Sequence, residues 1–390
     1  MDNFEGGYVR LFKLKKITNT FMLGIVSTPL FAQQSNINMT EGVTGISNTV
    51  YSLHMTILYI CIAIALIVFG VMFWSLYSHR KSKGAVSASF HESTTVEIIW
   101  TAIPIVILIG MAIPSTQALI LMEDTTEADI TIQITGSQWK WHYRYFDHDL
   151  EFYSRLTTSQ AEINNEIEKQ PHYLQEVDNP LVLPTNKKIR FLITADDVIH
   201  SWWIPDFAVK KDANPGFINE AWTQIDTPGT YRGQCAELCG KDHGFMPIVV
   251  TALEPEVFDD WLAKAQVNAQ QALQAEQQSL TTTMDMPAMM TLGEEVYNQT
   301  CAACHQVAGQ GIPGAFPALQ NSPIALGDVD KHISVVLQGV TGTAMASYAK
   351  QLTKKELAAV ITYERNAWGN NTGDIVQPSQ IDAALNSINQ

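Results

Sequence analysis

The sequence predicts a mixed architecture: a two-helix membrane hairpin, then a β-sandwich, then a small all-α domain. Three observations carry this reading. Two apolar runs, 57–77 and 98–122, are each long enough to cross a bilayer, which takes about 20 residues. From 128 to about 254, apolar and polar residues alternate in short segments with turn residues between them. Beyond 255 the pattern is helical, and 352–363 is an amphipathic helix with Thr353 as its cap. Composition agrees. A chain of 390 residues suffices for two or three domains, and 46% hydrophobic residues with only 16% charged is apolar for a water-soluble protein.

The N-terminus reads as a targeting segment, 1–32. Arg10, Lys13, Lys15 and Lys16 form a basic region, 21–31 is apolar, and Leu30, Phe31 and Ala32 would precede a cleavage point before Gln33; leucine three residues before the cut is less favourable than alanine, so an uncleaved anchor is the alternative. The hairpin is assigned to 50–122. His79, Arg80, Lys81 and Lys83 follow the first run, so the short connection is cytoplasmic and everything after Met122 lies outside. A buried hairpin in a soluble protein is the competing reading. Pro104 and Pro114 fall inside the second run. Glu97 sits at its mouth, and a carboxylate at membrane depth is a functional suspect.

The sandwich is assigned to 123–255. Ile130, Ile132 and Ile134 alternate with polar residues, and 181–183, 189–193 and 248–250 are short strands. The stretch 159–179 is polar and reads as a surface insertion. Trp139, Trp141, Tyr143 and Tyr145 alternate, so one face of a strand is aromatic, as a core-facing strand would be.

One loop in this domain carries chemistry. Cys235, Cys239, His243 and Met246 lie within fourteen residues, with glycines at 233, 240 and 244, and His200 offers a second imidazole upstream. Thiolate, imidazole and thioether are a soft donor set that favours copper over cations that want oxygen. Zinc would accept the cysteines and histidines but has no use for Met246. A disulfide or free buried cysteines are the remaining readings, and neither accounts for His243 and Met246 at loop spacing.

Helix is expected from 257 to about 278, a stretch rich in Ala, Gln and Glu without Gly or Pro, and the segment 256–290 ends in a Met-containing linker, 281–290. Cys301, Cys304 and His305 then form C-x-x-C-H, the attachment signature of c-type haem. A redox dithiol is the alternative. It is weakened by the adjacent His305 and by Met345, a sixth ligand that with His305 would raise the haem potential. This domain is assigned to 291–375 and a tail to 376–390. Of five cysteines, four fall in these two motifs; Cys61 lies in an apolar run.

The loop 233–246 with the His200 segment resembles the dinuclear copper (CuA) site of cytochrome c oxidase subunit II. The resemblance covers nearly all of the chain after 32, in the bacterial form with a class I cytochrome c domain fused at the C-terminus. It implies a cupredoxin-like sandwich. It implies that Cys235 and Cys239 bridge two coppers, that His200 and His243 each cap one, and that Met246 and the Glu237 carbonyl complete the set. It implies Trp139 as the electron entry, Glu97 at the mouth of a proton path into subunit I, and magnesium on the Glu237 side chain. Partners implied are subunits I and III, a donor cytochrome and membrane lipid. The chain would be one subunit of an enzyme that reduces oxygen in subunit I, in a bacterial plasma membrane with both soluble domains outside. The haem domain would swing on its tether toward the copper. The sequence departs from the family at Phe217, where arginine is usual, and at Ala346, where proline is usual.

Net charge of −15 excludes nucleic acid as a partner. Between 123 and 254 there are 21 acidic against 11 basic side chains, which reads either as ordinary solvation or as a docking face for a basic cytochrome. A quinol oxidase subunit would lack the copper ligands. A copper-handling module would need neither spans nor a haem motif. Nitrous oxide reduction would need a further multi-copper domain.

Overall fold

The computed structural model describes residues 38–86, 89 and 91–388; the expected targeting segment lies outside them. Helix α1, Gly45–Ser78, begins a dozen residues before the apolar run. Its N-terminus is set by Thr44, whose hydroxyl accepts from the Ser47 amide at 3.0 Å while the Ser47 hydroxyl accepts from the Thr44 amide at 2.9 Å. Thr44 also donates to the Phe207 carbonyl at 3.2 Å, so the first turn is anchored outside the membrane on the β-domain. Helix α2, Thr94–Glu123, contains both prolines. Its end is tied to the same domain by Trp222 Nε1 donating to the Leu121 carbonyl at 3.0 Å and by a Lys211–Glu123 ion pair at 3.1 Å. Both helices are long and apolar enough to span a bilayer.

The β-domain has ten strands: β1 Ile130–Ser137, β2 Lys140–Tyr145, β3 Leu150–Ser154, β4 Leu181–Pro184, β5 Ile189–Ala195, β6 His200–Ile204, β7 Val209–Ala213, β8 Asn219–Thr223, β9 Gly229–Cys235 and β10 Pro247–Leu253. They form two five-stranded sheets, β3-β2-β1-β5-β8 and β4-β10-β9-β6-β7. The alternation read from the sequence is the alternation of burial. Ile132, Ile134, Phe191 and Trp202 are buried between the sheets. Trp141, Tyr143 and Tyr145 of the aromatic strand are buried with them, and the Tyr145 hydroxyl donates to the Val182 carbonyl at 2.7 Å. The polar insertion contains one short helix, α3 Gln160–Ile163.

Helix α4, Pro255–Ser279, buries Phe258 and Leu262 against the sandwich. The chain then turns, and helix resumes at Met286. The helical domain comprises α5 Met286–Thr300, α6 Ala302–His305, α7 Val329–Gln338, α8 Lys354–Asn366 and α9 Pro378–Ile388. Two boundaries thus differ from expectation. The Met-rich half of the expected linker is the start of α5, where Met289 fills the core, and the expected tail forms α9, which buries Ile381. In both cases burial of one apolar face decides what local polarity did not. A Cβ at Gly293 would lie 2.3 Å from the Ala359 carbonyl, so α5 and α8 meet in backbone contact.

Candidate metal centre

The soft-donor loop is held at both ends by sheet pairing. Strand β9 ends at Cys235 and β10 begins at Pro247, with Pro247 opposite Gln234 and the Cys235 amide donating to the Met246 carbonyl at 3.0 Å. The Ala236 amide donates to Ser201 on β6 at 2.9 Å. Glycine is required at two places. A Cβ at Gly233 would sit 2.0 Å from the Trp203 carbonyl, and one at Gly136 would sit 2.9 Å from the His200 ring. The first lets β9 pack on β6; the second leaves room for the imidazole.

His200, Cys235 and Cys239 are buried, and their ligand atoms all lie within 4.8 Å of one another. The two sulfurs are 3.8 Å apart, far beyond the roughly 2.05 Å of a disulfide. His200 Nδ1 is 3.9 Å from Cys235 Sγ, and His243 Nδ1 is 3.5 Å from Cys239 Sγ. The Glu237 carbonyl lies 3.4 Å from Cys235 Sγ, and Met246 is buried in the same loop. The loop thus brings Cys235, Cys239, His243 and the Glu237 carbonyl together with His200, while Met246 is buried in the same loop. Hydrogen bonding from Cys239, aided by the His200 ring, lowers the Cys235 thiol. The same contact, together with burial, raises Cys239. A soft cation binds thiolates, so binding at this pair would displace thiol protons. The buried His/Cys cluster is consistent with a CuA centre.

Two supporting residues, Asp197 and Gln138, escaped the sequence reading, and Trp139, named there, makes a contact that the sequence did not show. Asp197 Oδ1 binds His200 Nε2 at 2.9 Å, which fixes the ring so that Nδ1 faces Cys235. Burial opposes ionisation of Asp197, but hydrogen bonds from His200 and from the Gln138 and Val198 amides outweigh it and hold the carboxyl below its usual value. Gln138 Nε2 and Trp139 Nε1 both donate to the Cys239 carbonyl, at 2.8 and 3.2 Å. Trp139 thus stands against the loop while its three aromatic partners are core. The spacing of Asp197 three residues before His200 was the available signal for the first of these.

The expected haem residues gather on the helical domain. Cys301, Cys304 and His305 flank and form α6. His305 Nδ1 pairs with the Pro317 carbonyl at 2.8 Å, which leaves Nε2 for a metal. Burial, and then the Glu364 carboxylate, raise the Cys301 thiol. Met345 lies in a loop closed by the Val340 amide donating to the Met345 carbonyl at 2.8 Å. These donors fit a covalently attached haem. The side chain of Glu237 is exposed, and among the described residues no carboxylate or histidine cluster forms around it, so magnesium finds no support. Glu97 lies in the first turn of α2 and is exposed in this chain.

Comparison with known proteins agrees in each part. The family model "Cytochrome C oxidase subunit II, transmembrane domain" matches 32–118, and that of its periplasmic domain matches 130–253. A third, "Cytochrome C oxidase, cbb3-type, subunit III", matches 288–363. The chain is similar to a probable cytochrome c oxidase subunit 2 of Rickettsia felis, 41% identical over 243 residues, covering 61% of this chain and 76% of that protein. The same-named protein of Rickettsia prowazekii is 44% identical over 219 residues, covering 56% and 68%. Among solved structures, the periplasmic domain of subunit II of cytochrome oxidase of Bradyrhizobium japonicum shares 44% identity, covering 37% of this chain and 98% of that one, with a TM-score of 0.33.

Proposed function

Because this chain belongs to the cytochrome c oxidase subunit II family, we propose that it relays electrons from an external cytochrome c, by way of the haem site on Cys301, Cys304 and His305, to the copper site on the Cys235–Cys239 loop, and from there to subunit I. In that reading oxygen is reduced to water and protons are pumped in subunit I. The chain is a two-span membrane subunit of the oxidase. A bacterial plasma membrane, with both redox domains on its outer face, follows from the basic connection between the spans and the bacterial relatives.

One observation carries the reading. Lys241, inside the copper loop, donates from Nζ to the carbonyl of Ala303, which lies between the two haem cysteines. The two candidate redox sites are therefore neighbours. Bound copper and haem would each supply a reversible one-electron carrier. The protein's own contribution is positional. Cys235, Cys239, His200 and His243, with Met246 and the Glu237 carbonyl, would hold the two coppers. His305 and Met345 would hold the haem iron. The Asp197–His200 bond and the strand-pinned loop would keep the ligands still as charge changes, which favours fast transfer. Trp139, bonded to the Cys239 carbonyl, is assigned as the electron entry to the copper loop. Glu97 is assigned to the proton-path mouth; an unchanged oxidase rate and pH profile in Glu97→Gln would remove that role.

The relay reading is tested by metal analysis and an optical spectrum of the full chain, purified with haem attached and copper supplied. Two coppers and one covalent haem per chain, with near-infrared copper absorption, are expected. One zinc, or a disulfide without copper, would leave a membrane-tethered cytochrome instead.

A further inference from the structure

Besides its active residues, the copper domain presents a set of cations to the helical domain that the relay does not use. Lys241 reaches the Ala303 carbonyl, as above. Arg155, just after β3, donates from Nη2 to the Gln351 carbonyl at 2.8 Å. Arg155 is itself braced by the polar insertion: its amide donates to Asp178 Oδ1 at 2.7 Å, and its guanidinium lies 3.9 Å from Asp178 Oδ2. The insertion is tied down in turn by the Leu156–Val177 bridge. On the far side of the same segment, Glu276 of α4 accepts the Lys354 amide at 3.0 Å.

We propose that Lys241 and Arg155 form a latch that docks the cytochrome domain onto the copper domain of the same chain, with the polar insertion serving to hold Arg155 in place. The partner surface is defined by its chemistry: two backbone carbonyls, one in the haem-attachment turn and one just before α8. Both are fixed by local structure, so the cations meet preformed acceptors. A latch of cations on neutral carbonyls differs from the charge-on-charge docking of two separate redox proteins. Its acceptors across the interface carry no charge, so salt has less leverage on those contacts than on paired surface charges. The proposal deepens the relay reading, and only its purpose rests on that reading.

Hydrogen exchange on the full chain in detergent tests it, read on the segments 301–305 and 348–354. Lys241→Met and Arg155→Met keep the aliphatic stems and remove the donors. Each should weaken the shared docking and raise exchange in both segments about tenfold, as expected for loss of a hydrogen bond from a charged donor, and the double variant should raise it roughly a hundredfold in both. Lys241→Arg, which keeps a donor, should stay near wild type. Segment 357–363, in the core of the helical domain, should not change. Exchange within twofold of wild type in the double variant overturns the latch. So does equal loss in 357–363, because the cations would then be supporting the domain's own fold. A chain that docks as described but binds no copper would sink the relay and leave the latch standing.

Discussion

Lys140 gives the sharpest test of how the two domains meet. It starts β2, directly after Trp139, and is buried with its ammonium 5.9 Å from the ring of Tyr153 on its own domain and 5.9 Å from that of Tyr348 on the cytochrome domain. Burial, and then repulsion from Arg155, lower its pKa from 10.5 to about 8, against partial relief from Asp197, Cys301 and Asp196. The gap of about 2.5, at about 1.36 kcal/mol each, makes the charged form roughly 3 kcal/mol unfavourable at neutral pH. Two cation–π contacts at the limit of their range return about 0.5 kcal/mol apiece, so a net cost of about 2 kcal/mol remains. Lys140→Met keeps the stem and removes the charge, and should therefore stabilise the docked chain by that amount at pH 7. With a typical urea slope of ~2 kcal/mol per molar, the midpoint followed at the haem Soret band should rise by about 1 M. The sign of the pH effect follows from proton binding. Between about 8 and 10.5 the unfolded chain binds more protons than the native chain, so wild-type stability gains from Lys140 as pH rises through that window. Below about 8 Lys140 contributes no slope. The advantage of Lys140→Met should accordingly shrink between pH 7 and pH 10. Equal midpoints at pH 7, or an advantage undiminished at pH 10, would refute the burial argument.

Three further outcomes are expected. Gly293→Ala places a Cβ 2.3 Å from the Ala359 carbonyl and should cost about 2–3 kcal/mol by forcing α5 and α8 apart, seen as a lower melting temperature of the haem absorbance with the copper spectrum intact. Asp197→Asn should weaken copper retention about 10- to 100-fold in chelator competition, because His200 loses the carboxylate that orients it. Gly233→Ala, with its Cβ 2.0 Å from the Trp203 carbonyl, should break the β6–β9 pairing and lower copper stoichiometry even though no ligand is touched.

Much of this arrangement is legible in the sequence because each part obeys a strong local rule. The two spans follow from length and apolarity, and the sandwich from period-two alternation that reappears as burial at Ile132 and Ile134. The metal loop shows itself because four soft donors within fourteen residues have few other uses. What stays hidden depends on tertiary neighbours. Asp197 looks like any loop aspartate until His200 is turned toward it. The Met-rich stretch before 290 looks like a tether because its apolar residues have no visible partner; α8 supplies one, and Met289 is buried. Lys140, Arg155 and Lys241 carry no motif, since their acceptors are backbone carbonyls and aromatic rings more than a hundred residues away in two cases and about sixty in the third.

A domain that swings needs a connection with freedom to move, and in this structure the connection is held. Between the end of α4 at Ser279 and the start of α5 at Met286 the chain is short, and it is not free. The Gln377 side chain accepts from the Met284 amide and donates to the Met284 carbonyl, both at 3.0 Å, which ties the connection to the segment leading into α9. Glu276 holds α8 from the other side. With the connection tied at both flanks, the tether keeps the helical domain beside the copper domain at high effective concentration. The buried charge of Lys140 opposes that contact while Lys241 and Arg155 favour it, so the balance of three cations at one interface decides how often it opens.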